Sequence, residues 1–170
     1  GRNQVQIAKP ITESSWQEVA INAFADILAK QRIPIPQDIS QDLSKKLSTN
    51  LSKSATPKEM LYSVADMLAK SYNPMHSKGL TKSKVSMATK LAKSFDLSKE
   101  EIDKLKIATL LYDIGNLMLP QEILMKTEPL TDEEKAQIQK HPMIAARDIL
   151  KPISDVQDII PIIEHHHENW

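Results

Sequence analysis

Three times in this chain a short polar group writes the start of a helix: Thr56-Pro57 with Glu59, Ser98 with Glu101, and Thr131 with Glu134. In the last two, the hydroxyl accepts from the backbone N–H three residues on, and the glutamate there reaches back to the cap's own N–H. Two otherwise orphaned donors are satisfied together. At the first, proline takes the first helical position, where no N–H is needed. Only 3 glycines occur in 170 residues, too few for the tight turns that sheets of short strands require. The abundance of Ala, Leu, Lys, Glu and Gln points the same way. These signals predict an all-α chain of about eight or nine helices and no strand.

Apolar spacing sets the approximate spans. A first helix fits 14–31, with Trp16, Val19, Ala20, Ala23, Phe24, Ile27 and Leu28 as its apolar stripe, stopped by Pro34 and Pro36. A second fits 37–52, with Ile39, Leu43, Leu47 and Leu51 four apart and polar residues on every other face. A third runs from Thr56 to Tyr72, until Pro74 and Gly79 interrupt it, and a fourth covers 81–95. The Ser98 helix continues to Gly115 and the Thr131 helix to His141-Pro142, since a residue before proline avoids the α region. Helices to Leu150 and over 155–167 close the chain. We divide it into an N-terminal helical segment of unknown role, 1–70, and a second domain, 71–170.

With 22 basic and 22 acidic residues the net charge is zero, which argues against a surface built to coat polymeric nucleic acid. No cysteine is present, so disulfides and thiolate metal sites are excluded and a reducing compartment is expected. No apolar run of about 18 residues exists to cross a membrane, and GRNQVQ is not a signal peptide. A start at Gly1 rather than Met reads as part of something longer, and the expected location is cytoplasmic.

The chemistry-bearing residues crowd into the stretch from Leu110 to Trp170. Tyr112-Asp113 ends a strongly apolar helix, where a carboxylate either binds something or accepts from a nearby turn. His141 stands beside a helix end. Of His165, His166 and His167, adjacent helical positions differ by about 100°, so all three cannot serve one metal from one face, though two neighbours can hold two metals or a metal and a phosphate. The apolar VQDIIPII before them and Glu168-Asn169-Trp170 after them argue against an affinity tag. His76 lies upstream in NPMHSKG. Imidazole and carboxylate together suit iron, manganese or zinc, and paired metals would activate water against a phosphodiester.

In order, LLYDIGN, LPQEILMK, LTDEE, KHP and HHENW resemble the HD-GYP family, a branch of the HD-domain metal-dependent phosphohydrolases. The family's run reads approximately LLHDIGK, IPxxILxK, LTxEE, KHP and HHExWDGxGYP. Upstream, YNPMHS resembles the family's YTxxHS and AKSFDLSKEE its ALGLSxEE, so the likeness covers about residues 70–170. It implies an HD-domain-like helical bundle and a divalent metal, iron or manganese. Asp113 would bridge metals, and His76, His141, His166 and His167 would be ligands; His165 takes no implied role. The reaction implied is hydrolysis of cyclic di-GMP in bacterial signalling.

The departures are as definite. Tyr112 stands at the histidine of the His-Asp pair, and a phenol with a pKa near 10 is a poor ligand unless local charge lowers it. Asn116 stands at a lysine that would contact a substrate phosphate, and a neutral amide supplies no charge. Beyond His76 the chain carries roughly four residues more than the pattern, a displacement of about 6 Å along a helix. The string also stops at Trp170, ahead of the DGxGYP motif and a later aspartate ligand, and is read as truncated there. The expectation is a catalytically degenerate domain that binds little metal. The alternatives are an active phosphodiesterase with an unusual metal site, or a protein-interaction module working through the N-terminal helices.

Overall fold

The computed structural model describes residues 16–29, 57–73 and 75–168, with positions 37, 41 and 45 between them. Among these the chain is helical and holds no strand. We number the α-helices α1 (Trp16–Ala29), α2 (Pro57–Tyr72), α3 (Leu80–Ser94), α4 (Lys99–Leu111), α5 (Gln121–Leu124), α6 (Asp132–Ile138), α7 (His141–Ile144) and α8 (Ile160–Glu164). Tighter or wider turns link the later ones: 3₁₀ turns over Ile114–Met118 and Ser154–Ile159, and a π-turn over Ala145–Leu150. The expected second helix and the Thr56 cap lie outside the described residues, apart from the helical positions 37, 41 and 45.

Each long helix follows from its apolar spacing. On α1, Trp16, Val19, Ala20, Ala23, Phe24 and Ile27 are all buried; on α2, Leu61, Val64, Ala65 and Leu68 repeat at i, i+3, i+4 and i+7. Both stripes meet Ile107, Ala108, Leu110 and Leu111 of α4, and the same cluster takes in Leu150, Val156, Ile159 and Ile163. The core is therefore continuous across the boundary drawn near residue 70.

Both capping boxes form. Ser98 Oγ accepts from Glu101 N at 3.2 Å while Glu101 accepts from Ser98 N at 2.7 Å. Thr131 and Glu134 repeat the arrangement at 3.2 and 2.8 Å. Glu134 also accepts from Lys126 Nζ at 2.7 Å, which closes the loop between α5 and α6.

Two predicted helices are cut short for local reasons. The Ser98 helix ends at Leu111 rather than Gly115, because the chain tightens into the 3₁₀ turn at Ile114. The last helix is confined to Ile160–Glu164: Pro161 can occupy only its first turn, and His165 to His167 leave it as a turn.

One close approach fixes the middle of the domain. A Cβ built on Gly115 would meet the His141 carbonyl oxygen at 2.0 Å and the Ala145 nitrogen at 2.9 Å. The glycine lets the 3₁₀ turn lie directly on the backbone of α7. We expect Gly115→Ala to lower stability by about 1–3 kcal/mol through forced backbone displacement. Gly79 has φ of +85° but nothing within 4 Å, so Gly79→Ala should cost only its left-handed strain, about 1–2 kcal/mol. Chemical denaturation of both variants checks this. If Gly115→Ala also leaves the metal affinity of the protein unchanged, the contact does not set the site.

Candidate metal centre

The 3₁₀ turn that Gly115 seats on α7 begins just after Asp113, so the carboxylate is delivered to the first residue of that helix. Asp113 Oδ1 lies 3.3 Å from His141 Nε2. From the other side, the turn following α8 brings His166 Nε2 to 3.2 Å from the same nitrogen. His167 joins them: one donor atom from each of His141, His166 and His167 falls within 4.8 Å of the others. His141 is buried, His166 half-buried and His167 exposed, so the cluster opens on one side to solvent.

Backbone carbonyls set the tautomers. His141 Nδ1 is 2.7 Å from Ile138 O, and His166 Nδ1 is 2.7 Å from Ile163 O. A carbonyl only accepts, so both Nδ1 atoms carry hydrogen, and in its neutral form each ring would present an Nε2 lone pair to the cluster. His141 Nε2 thus stands 3.2 Å from His166 Nε2 and 3.3 Å from Asp113 Oδ1, a convergence that suits a shared proton or a cation. Outer hydrogen bonds of this kind are also what orients histidine ligands. The donor set therefore fits a borderline divalent metal with nitrogen and oxygen ligands.

The surrounding charge keeps Asp113 ionised. Burial pushes its carboxyl upward, but hydrogen bonds from His141 and Tyr112, with the positive charge of His141 and Lys84, outweigh that and hold it below the usual carboxylate range. The His166 imidazole is held low by burial, opposed by its bond to Ile163.

Tyr112 completes the picture in an unexpected way. Burial and then the Asp113 charge raise its phenol well above the ordinary value, opposite to the shift a ligand would need. It stays protonated, bonds to Asp113, and accepts from Lys84 Nζ at 2.5 Å. Its ring also meets His166 edge-on, with centroids 5.1 Å apart. Tyr72, likewise raised by burial and by Asp113, stands nearby. Asn116 is buried, and its side-chain oxygen finds no hydrogen-bond partner.

His76 is not brought into this group. Its Nε2 is 2.8 Å from Asp66 Oδ1, and since a carboxylate only accepts, Nε2 is protonated and spent. Thr81 Oγ1 lies 3.3 Å away. The sequence reading missed Asp66, which takes the backbone N–H groups of Gly79 at 2.6 Å and Thr81 at 3.0 Å and so caps α3 from a different helix. It also missed Lys84. Neither carries a local motif; a lysine on an apolar helix face was the available hint.

Residues 62–170 match the HD-domain family, and the chain belongs to it. A cyclic di-GMP phosphodiesterase of Pseudomonas aeruginosa is 30% identical over 112 residues, which is 66% of this chain and 26% of that protein. The chain thus spans about a quarter of the curated relative it matches. No solved structure matches it. Among the described residues no helix is long and apolar enough to cross a membrane.

Asp66 gives this subsection its test. Burial raises its carboxyl, but the bonds from His76, Thr81 and the two backbone N–H groups prevail and lower it. A depressed folded pKa means its contribution is present above the unfolded value, about 3.9, and is lost as pH falls through the folded one. We expect Asp66→Asn to cost about 1–3 kcal/mol at neutral pH, with two helix-start donors left without an acid acceptor. In denaturant titrations at stepped pH, the gap to the parent protein should close only in acid; a gap that widens there would contradict the assignment.

Proposed function

We propose that this domain is a divergent HD-GYP-type module of cyclic di-GMP signalling that holds one divalent metal, iron or manganese, and turns over its ligand poorly if at all. The observation that carries this is Tyr112. A protonated phenol, locked between Asp113 and Lys84, occupies the place where the HD-GYP resemblance puts a metal-binding histidine. Asp113, His141, His166 and His167 would hold the ion, and the bound ion would supply a Lewis acid and an activated water. Around it, His141 and His166 are oriented by Ile138 and Ile163, and Asp113 is kept anionic by its hydrogen bonds. Asn116 presents a neutral buried amide where a phosphate would want a cation.

The ligand class rests on the 30% identical phosphodiesterase together with the motif order, and the cytoplasmic location on the absence of cysteine. The specific role of residues 1–70 stays with protein partners, as a connector or companion segment.

Elemental analysis of the purified chain, loaded with manganese or iron and desalted, tests the reading. The expected result is no more than one bound equivalent, and none in His141→Ala, whose loss should exceed the roughly 10–100-fold that even outer-shell partners cost. Two bound equivalents, or cyclic di-GMP hydrolysis that disappears in Asp113→Ala, would overturn it. A second variant probes the cause: Tyr112→His should raise the metal content above that of the parent protein, and an unchanged content would detach the deficit from Tyr112.

A further inference from the structure

We infer that Lys84 is the residue that grips the ligand's phosphodiester in this chain, replacing from α3 the positive charge that Asn116 does not provide. The inference rests on the cyclic di-GMP reading above and goes beyond it by assigning the phosphate contact to one side chain.

Lys84 is half-buried, and its ammonium touches a neutral group, the Tyr112 hydroxyl, rather than a carboxylate. It also lies 5.0 Å from the Tyr112 ring centroid. Its charge also bears on Asp113 and helps to hold that carboxyl low. A partly desolvated ammonium has three donors and one is used here. The others make no hydrogen bond to a protein acceptor among the described residues, and a charge-assisted bond to an anion is stronger than one to a neutral acceptor. The position therefore asks for an anionic ligand.

The surroundings say what kind. Lys84, Tyr112 and His166 line a groove of about 470 Å³ together with the apolar Met87, Leu91, Leu105, Ala108 and Ile162. Among the described residues, Lys84 is the one Lys or Arg lining it. Met87 and Leu91 are well exposed, at 72% and 60%, so the groove offers open apolar surface to a flat ring. A nucleotide matches both halves: a base against the apolar wall and a phosphodiester between the ammonium and the metal cluster. Asn116 cannot serve as well, since it is neutral and buried with its oxygen, an acceptor, unpaired.

Isothermal titration of cyclic di-GMP into the manganese-loaded chain tests this, with metal content measured on the same samples. Lys84→Met should weaken binding by about tenfold or more, the scale of a hydrogen bond to a charged group, while Lys84→Arg retains most of it. Metal content should stay at the parent level in both, and the salt dependence of binding should become shallower in Lys84→Met. Lys82→Met serves as control, because Lys82 is exposed and lines a different cavity with Asp66 and His76. Unchanged affinity in Lys84→Met overturns the inference alone. So does an equal loss in Lys82→Met, which would make the effect general charge, or a parallel loss of metal, which would make Lys84 only a prop for Tyr112 and Asp113. A parent protein that binds manganese but no cyclic di-GMP sinks the ligand reading itself.

Discussion

The convergence of Asp113 with the histidines depends on a backbone contact that no side chain makes. Gly115 lies so near the His141 carbonyl that a methyl group would overlap it at 2.0 Å. With that approach allowed, Asp113 on one side and His141 on the other are brought together by two turns of main chain. The buried Ile149, Leu150 and Ile163 then hold the π-turn and α8 against the same core, and the turn after α8 swings His166 in. The ligand geometry is thus a consequence of core packing and of one missing Cβ. Hydrogen bonds from Nδ1 to local carbonyls only finish the alignment.

On that geometry, a single ring sets the chemistry. An imidazole next to Asp113 would offer a lone pair; Tyr112 offers a proton. The Asp113 charge raises the phenol further above its ordinary value, so the carboxylate that could bridge metals instead fixes its neighbour as a hydrogen-bond donor. The effect is self-reinforcing: the more firmly Asp113 is ionised, the less Tyr112 can become a ligand. Position and backbone are kept while the number of available electron pairs falls.

Local signals were the legible part of this molecule. Both described capping boxes and the stripes of α1 and α2 could be read directly, because each depends on residues within about one or two helical turns. His141, His166 and His167 could be picked out because histidines beside proline or an apolar helix end stand out by type. What could not be read is tertiary. The Lys84–Tyr112 contact joins residues 28 apart, and Asp66 caps α3 from α2 across a loop. The partner of His76 was hidden for the same reason: its ring meets Asp66, and spacing across a loop says nothing about which neighbour a ring meets. The shortening of α8 was in principle visible in Pro161, but the histidine run after it masked the stop.

The scaffold beneath the cluster is set by apolar packing. Asp113, His141 and His166 are carried on a closed core, with Ile107, Leu111, Leu150, Val156, Ile159 and Ile163 fully buried. Burying a side chain of that size contributes about 1.5–3 kcal/mol. The Lys84 charge offsets part of the Asp113 charge besides. The side chains of the cluster thus sit on a scaffold fixed by apolar packing, so an exchange at Tyr112 bears first on the chemistry of the cluster.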